Sequence, residues 1–428
     1  MEVYLGSIGC RLNQSELEMM AADLRKAGHV IVGSPEKAQA AIINSCCVTA
    51  AAEADSRKLL HRLERMGVQK IFLTGCWVSP QGAVKESLPD GTIVIPNTQK
   101  HALVKQFFPN DTGVAKSITP RVALPGRGRR TRAFIKVQEG CDYHCTFCIT
   151  RIARGKSVSR PYEEILLNIQ AAELANVKEI VLTGTQLGGW GRDIGGENTI
   201  ASLVKSILRD TDIPLVRLSS LEPWDIQDDF YPLLTENRFC AHLHLPLQSG
   251  SESILQRMGR KMALKDFGNL VQGLRKANPL LALTTDIVVG FPGETEQEFN
   301  ESLEFVRWIQ FSGGHVFRFS PRPGTPAASY PDQVDGLQKR ERNRKMRAVL
   351  RDSAALYRER FIDHTVSVVW ERGKLREDGT WLMSGLSKNY LRVQAISEMD
   401  RWNTISSVKL MEDKSKYMVG LILTDHRK

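Results

Sequence analysis

Cys141, Cys145 and Cys148 stand in one short run, spaced x3 and x2, with no fourth cysteine nearby. A structural zinc site is closed by four protein donors, whereas a four-iron cluster on three thiolates keeps one iron open to a small molecule. The spacing therefore reads as a reactive centre rather than a staple. A Cys3His zinc knot drawing on His144 is the competing reading, and it asks the adjacent residues His144 and Cys145 to reach one small ion together. Three more cysteines, Cys10, Cys46 and Cys76, each follow a short apolar run. A second three-thiolate centre with an open iron is the natural inference. Cys47 adjoins Cys46 and is an alternative ligand, and Cys240 reads as a buried core thiol.

The elements that must position these thiols follow from hydrophobic periodicity. Apolar runs at 3–8, 40–43 and 70–73 read as strands. Segments 15–27 and 54–66 between them carry apolar residues at helical spacing: Leu17, Met20, Ala21 and Leu24, then Leu59, Leu60 and Leu63. This β-α-β-α-β order predicts a parallel sheet with all three cysteines at its carboxyl edge, where open α/β sheets bind ligands. Six further strands are expected at 134–137, 179–183, 215–219, 243–247, 285–289 and 315–319, separated by helix-length segments. Thr295 with Glu298 forms a capping box before one of those helices. The alternation suits an open (β/α)6 barrel, with the 141–148 loop leaving its first strand. Short strands at 366–370, 380–383, 391–395 and 418–423 predict a small β-barrel at the C-terminus. The expected class is an α/β multidomain protein: an N-terminal parallel α/β domain at 1–112, a basic linker at 113–132, the barrel at 133–360 and the small β-barrel at 361–428.

Of the 428 residues, 42% are hydrophobic and 25% charged, an ordinary globular balance that excludes fibrous and disordered classes. No apolar run approaches the roughly 18 residues that a membrane span needs, and the start lacks a basic segment leading into a long apolar core. A cytoplasmic protein without membrane attachment is expected. Eight cysteines in ligand-like placement argue for metal or redox use in a reducing compartment. The net charge of +10 points to a polyanionic partner. Arg127, Arg129, Arg130 and Arg132 cluster in the linker, and residues 339–360 hold nine Lys or Arg against three acids. Both stretches suit RNA or a solvated face.

The 141–148 motif resembles the signature of the radical S-adenosylmethionine (SAM) superfamily, with Phe147 as the aromatic residue before the last cysteine. With the second thiol set, the whole chain resembles the methylthiotransferase family of radical SAM enzymes. The match is carried by Gly9-Cys10-Arg11-Leu12-Asn13-Gln14, Asn44-Ser45-Cys46-Cys47-Val48-Thr49, Thr74-Gly75-Cys76, Leu218 to Pro223, Leu245 to Gly250, Asp286 to Glu294 and Ser320 to Thr325. The resemblance implies two [4Fe-4S] clusters, one on Cys141, Cys145 and Cys148 that cleaves SAM, and an auxiliary one on Cys10, Cys46 and Cys76 that supplies sulfur. The wording of the Asn44 to Thr49 phrase favours Cys46 over Cys47. It further implies a C-terminal TRAM domain that binds RNA, for which Trp381, Lys388, Tyr390 and Arg392 are candidate contacts.

Polar and glycine residues after the barrel strands are the expected SAM pocket: Gly184, Thr185, Gln186, Ser220, Glu222, Gln248 and Ser249, beside Phe147. Arg154 and Arg160 are candidates for holding a carboxylate or an RNA phosphate. The phrases Cys10 to Gln14, Cys46 to Thr49 and Leu187-Gly188-Gly189-Trp190-Gly191 resemble the branch that methylthiolates C2 of N6-threonylcarbamoyladenosine beside the tRNA anticodon. Isopentenyladenosine tRNA and a ribosomal protein are the alternative substrates. A non-catalytic RNA-binding protein with structural zinc is the alternative of another class. The implied partners are the tRNA anticodon loop, an electron donor and a sulfur source, with the protein a monomer or weak dimer.

Overall fold

The computed structural model describes residues 1–78, 88–109, 120–122, 124–125 and 131–423. Arg127, Arg129 and Arg130 of the basic stretch lie outside them. The N-terminal sheet has the order β2-β1-β3-β4-β5, all parallel. Its strands are β1 (Glu2–Ser7), β2 (Val30–Val32), β3 (Ala40–Ser45), β4 (Lys70–Gly75) and β5 (Ile93–Val94). Side chains alternate across it with period two. Val3, Leu5, Ile42 and Phe72 pack on Leu17, Met20 and Leu24 of α1 (Arg11–Lys26). Ala41, Ile43, Ile71 and Leu73 pack on Leu60 and Leu63 of α2 (Ala50–Arg65). A sheet covered on both faces explains why every residue of β3 is buried.

The second of those cores also takes in Ile149 and Ala153. Ile149 caps and Ala153 lies within α4 (Thr150–Arg154), which follows the 141–148 loop directly. A short helix (α3, Leu103–Phe107) completes the first core.

The expected central strands are β6 (Arg132–Lys136), β9 (Glu179–Thr183), β10 (Leu215–Leu218), β11 (His242–His244), β12 (Ala282–Val289) and β13 (Gly313–Arg318). They form two parallel triplets, β6-β9-β10 and β11-β12-β13. Bridges Val216↔Phe239 and Ser220↔His244 connect the triplets, giving the expected open barrel in sequence order. A small antiparallel ribbon, β7 (Gln138–Glu139) with β8 (Val158–Ser159), braces the base of the cysteine loop. The outer wall is covered by α5 (Tyr162–Leu174), α6 (Ile200–Asp210), α8 (Leu264–Ala277), α9 (Glu296–Ile309) and α10 (Gly336–Glu359), and α7 (Glu252–Arg257) is a shorter element. Thr295 and Glu298 form the anticipated capping box of α9.

The C-terminal strands β14 (Thr365–Leu375), β15 (Trp381–Ser387), β16 (Arg392–Ser397), β17 (Ile405–Asp413) and β18 (Met418–Ile422) close a barrel in the order β14-β15-β16-β18-β17. Its core of Val368, Trp370, Met383, Val393, Val408 and Leu410 runs without a break into Ala282 of β12 and Tyr357 of α10. The barrel is thus fused to the central domain by shared apolar packing. Strand β17 is additional to the sequence expectation. No helix among the described residues is long and apolar enough to cross a membrane.

Candidate active site

Cys10, Cys46 and Cys76 come together because two glycines let three loops touch. Cys10 is the N-cap of α1, and its carbonyl accepts from Gln14 N at 3.3 Å. Gly9 has φ +113°, and a Cβ there would lie 2.6 Å from Cys46 Cβ and 3.0 Å from Cys46 Sγ. Gly75 has φ +101°, and a Cβ there would lie 2.4 Å from Ser45 O, the carbonyl that accepts from Cys76 N at 3.0 Å. Burial raises the Cys46 thiol to about 12, with Cys76 and Cys10 adding to the rise, and burial likewise lifts Cys76. Cys47 turns elsewhere: its Sγ donates to Cys76 O at 3.0 Å and packs in the α2 core. Cys240 is fully buried, as expected of a core thiol.

Arg154 faces inward, not toward solvent. It is 6% exposed; Nε donates to Cys76 Sγ at 3.1 Å, Nη1 to Glu16 Oε1 at 2.8 Å and Glu139 Oε1 at 2.9 Å, and Nη2 to Asn13 Oδ1 at 2.6 Å. Lys100 Nζ adds bonds of 2.5 Å to Glu16 and to Glu139, and Lys136 Nζ lies 3.1 Å from Glu16 Oε1. Burial alone would raise the Glu16 carboxyl; Arg154, Lys100 and Lys136 outweigh it and hold that carboxyl well below its usual range. Three cations thus face two carboxylates beside a thiol. This network was not anticipated, since charged residues far apart in sequence give no local signal of burial.

The Cys141, Cys145 and Cys148 loop is tied to the opposite wall. Thr146 N donates to Met258 O at 3.0 Å, Ala327 N to Thr146 O at 2.9 Å, and Asp142 N to Gln186 Oε1 at 2.8 Å. Arg260 Nη2 pairs with Glu222 Oε2 at 2.6 Å while Nη1 reaches Cys145 Sγ at 4.0 Å. Tyr143 Oη donates to Asp225 Oδ1 at 2.6 Å. His144 Nε2 contacts Arg151. Among the described residues no three His, Cys, Asp or Glu side chains gather closely enough to hold a single ion.

The anticipated pocket residues divide. Thr185 Oγ1, Gln186 Nε2 and Ser219 Oγ are buried without a partner, which fits a polar ligand at the carboxyl ends of β9 and β10. Gly184 packs on Gln138, Ser220 is exposed, and Phe147 lies against Ile254, Met258 and Phe319. Gln248 takes φ +73° and bridges to Ile287. Ser249 is engaged elsewhere, fully buried with its Oγ 3.2 Å from Ser302 Oγ.

Some basic residues assigned to RNA are structural. Arg342 is buried, with Nη1 donating to Glu294 Oε2 at 2.8 Å, and Arg358 Nε donates to Asp413 at 2.9 Å. Arg160 pairs with Glu164 at 2.7 Å. Lys388 reaches Asn237 O. Tyr390 stacks on His242 with ring centroids 3.9 Å apart and 6° between planes, and Arg11 Nη2 donates to its Oη at 3.1 Å. Arg392 is exposed, and Trp381 is half-buried against the barrel core.

Residues 135–306 match the radical SAM superfamily, and residues 2–95 match the uncharacterized protein family UPF0004. Fold and thiols together define a radical SAM enzyme with a second three-cysteine site. The threonylcarbamoyladenosine tRNA methylthiotransferase MtaB of Thermotoga maritima is 37% identical over 382 residues, 86% of this chain and 86% of that protein. The Bacillus subtilis protein of the same name is 33% identical over 430 residues, 98% and 95% of the two chains. The tRNA-2-methylthio-N(6)-dimethylallyladenosine synthase of Ehrlichia canis is 29% identical over 442 residues, 98% and 99%. Among solved structures, the radical SAM methyltransferase TsrM of Kitasatospora setae shares the fold, with a TM-score of 0.57 over 76% of this chain and 75% of that one at 13% identity. The chain belongs to the radical SAM tRNA methylthiotransferase family. It is a transferase that uses SAM and two [4Fe-4S] clusters.

Proposed function

We propose that the enzyme places a methylthio group on C2 of N6-threonylcarbamoyladenosine beside the anticodon of tRNA. The support for this substrate is that relatives bearing that activity in their name are 37% and 33% identical, against 29% for the Ehrlichia canis dimethylallyladenosine enzyme. The observation that carries the chemistry is the pair of three-thiol sites, one built on the sheet edge and one on the barrel loop, joined through Arg154.

In this reading Cys141, Cys145 and Cys148 hold the SAM-cleaving cluster, and Cys10, Cys46 and Cys76 hold the auxiliary cluster. When bound, the cofactors supply the radical and the sulfur. The chain supplies position. Thr185, Gln186 and Ser219 offer their unpaired polar atoms to SAM, with Gly184 making room for Gln138 behind them and Phe147, Ser220, Glu222 and Gln248 at the pocket's edge. Ser249 fixes the neighbouring turn. Arg260 holds Glu222 and Cys145 in register. The surrounding walls exclude water from a reactive primary radical. The C-terminal barrel acts as a TRAM domain, and the exposed bases of α10 with Arg392 hold the anticodon arm by charge.

The test is nucleoside mass spectrometry on tRNA bearing N6-threonylcarbamoyladenosine, incubated anaerobically with reconstituted protein, SAM and a strong reductant. The expected result is the 2-methylthio nucleoside. Product only on dimethylallyladenosine tRNA would move the enzyme to the other branch, and 5'-deoxyadenosine without a modified nucleoside would reject both substrates.

A further inference from the structure

Strands β11, β12 and β13 present two chemically different faces. Leu243, Leu283, Ile287 and Val289 pack outward in one core with Phe299, Leu303 and Val306 of α9. The alternate residues therefore face the barrel interior. They are His242 and His244 on β11, Thr284 and Asp286 on β12 and, through the register Asp286↔His315 and Val288↔Phe317, His315 and Phe317 on β13.

The polar members form one directed chain. His242 Nε2 lies 2.9 Å from Thr284 Oγ1, Thr284 Oγ1 lies 2.9 Å from His244 Nδ1, and His244 Nε2 lies 3.2 Å from Asp286 Oδ2. With both imidazoles neutral, His242 donates to the hydroxyl, the hydroxyl donates to His244, and His244 donates to the carboxylate. Every donor is then used. Two buried acceptors are left without a donor: His242 Nδ1, in a residue 2% exposed and stacked on Tyr390 at the closed end, and Asp286 Oδ1 at the other end, where the face is open. Across the register His315 stands opposite it and is exposed, and Phe317, one step further along the same inner face, leaves 41% of its surface exposed.

An aromatic plane next to a single anionic acceptor is the complement of a purine that carries an exocyclic N–H. A base can reach such a face only after leaving its stack, as single-stranded RNA loops allow. We infer that this inner face seats the target base, with Phe317 stacked on the purine ring and Asp286 Oδ1 accepting the N6–H of an N6-substituted adenine. The inference rests on the substrate reading above and deepens it. It makes Asp286 a specificity residue, because a purine with a carbonyl at C6 would set its oxygen against the carboxylate.

Two measurements test the seat. Anticodon stem–loop RNA with 2-aminopurine at the target position reports stacking by fluorescence, with no turnover required. Phe317→Leu is expected to weaken the binding that gives this signal roughly fivefold or more, with Phe317→Tyr retaining it. Asp286→Asn is expected to lower kcat/KM for methylthio product about ten- to a hundredfold and to relax discrimination against the same RNA carrying inosine at the target position. An unaltered signal in Phe317→Leu, or unaltered discrimination in Asp286→Asn, overturns the assignment. So does loss of SAM affinity without RNA in either variant, which would place the face against the cofactor. If wild type makes no product on N6-threonylcarbamoyladenosine RNA while the fluorescence and inosine results hold, the substrate reading fails and the purine seat stands.

Discussion

Arg154 Nε donates to Cys76 Sγ at 3.1 Å, although Arg154 belongs to the helix that leaves the Cys141 to Cys148 loop. One guanidinium therefore links the surroundings of the two thiol sites. An N–H donor and a positive charge at a ligating sulfur favour the reduced, more negative state of an iron–sulfur centre. Arg154→Gln is expected to shift the midpoint potential of the auxiliary cluster to a more negative value, with Arg154→Lys intermediate. Potentiometric titration followed by electron paramagnetic resonance measures this, and an unmoved potential would remove Arg154 from that role.

The same arginine carries stability. Arg154→Met leaves Glu16 and Glu139 short of one buried cation, although Lys100 and Lys136 remain. A loss of about 3 kcal/mol in denaturant unfolding is expected, the low end for a broken buried pair.

Acid should weaken the join. Glu16 is depressed below its ordinary 4.5 in the folded protein, because Arg154, Lys100 and Lys136 outweigh the effect of burial. A depressed carboxylate gives stability that is complete above its unfolded pKa and is lost as pH falls toward the folded value. Melting temperature is therefore expected to fall on acidification below that point, less steeply in Glu16→Gln. Parallel curves for the two proteins would contradict this.

Cys46 and Cys47 are adjacent, yet only Cys46 lies against Gly9, while Cys47 bonds to Cys76 O. Cys46→Ala is expected to lose the iron of one cluster and all methylthio product, whereas Cys47→Ala keeps both and costs about 1 kcal/mol. Iron analysis of the two variants decides it, and the reverse pattern would exchange their roles.

Tyr390 looks in the sequence like an RNA-stacking residue, but His242 occupies its face and Arg217 lies 5.4 Å from its ring. Tyr390→Ala should cost about 2 kcal/mol of stability with the salt slope of tRNA binding unchanged. Arg392→Ala should instead lower that slope by about one.

Much of this architecture was legible locally. Apolar runs ending in Cys10, Cys46 and Cys76 marked the sheet edge, and Thr295 with Glu298 marked the start of α9. Strand β17 was hidden because its buried set begins with Ser406, whose Oγ accepts from Trp370 Nε1 at 3.0 Å, so the apolar alternation is broken at its start. Glu16, Lys100, Lys136 and Glu139 read as surface charges until folding brings them onto Arg154. The Asp286 to Glu294 phrase was marked as part of the family resemblance, but the chain from His242 through Thr284 and His244 to Asp286 was silent, because it lies in parallel register across β11 and β12.

The attachment of the C-terminal barrel has a geometric consequence. Arg217 is buried, with Nε on Glu179 Oε1 at 2.7 Å and its Nη atoms on the carbonyls of Ser387 and Lys388 at 3.2 Å. The barrel's loop is thus anchored to the wall of the chamber, without a hinge at this contact. An RNA arm gripped by it, as proposed above, would be held at a set distance from the inner face of β11, β12 and β13. On the proposed reading the barrel would serve as a ruler, its fixed attachment selecting which nucleotide reaches the site.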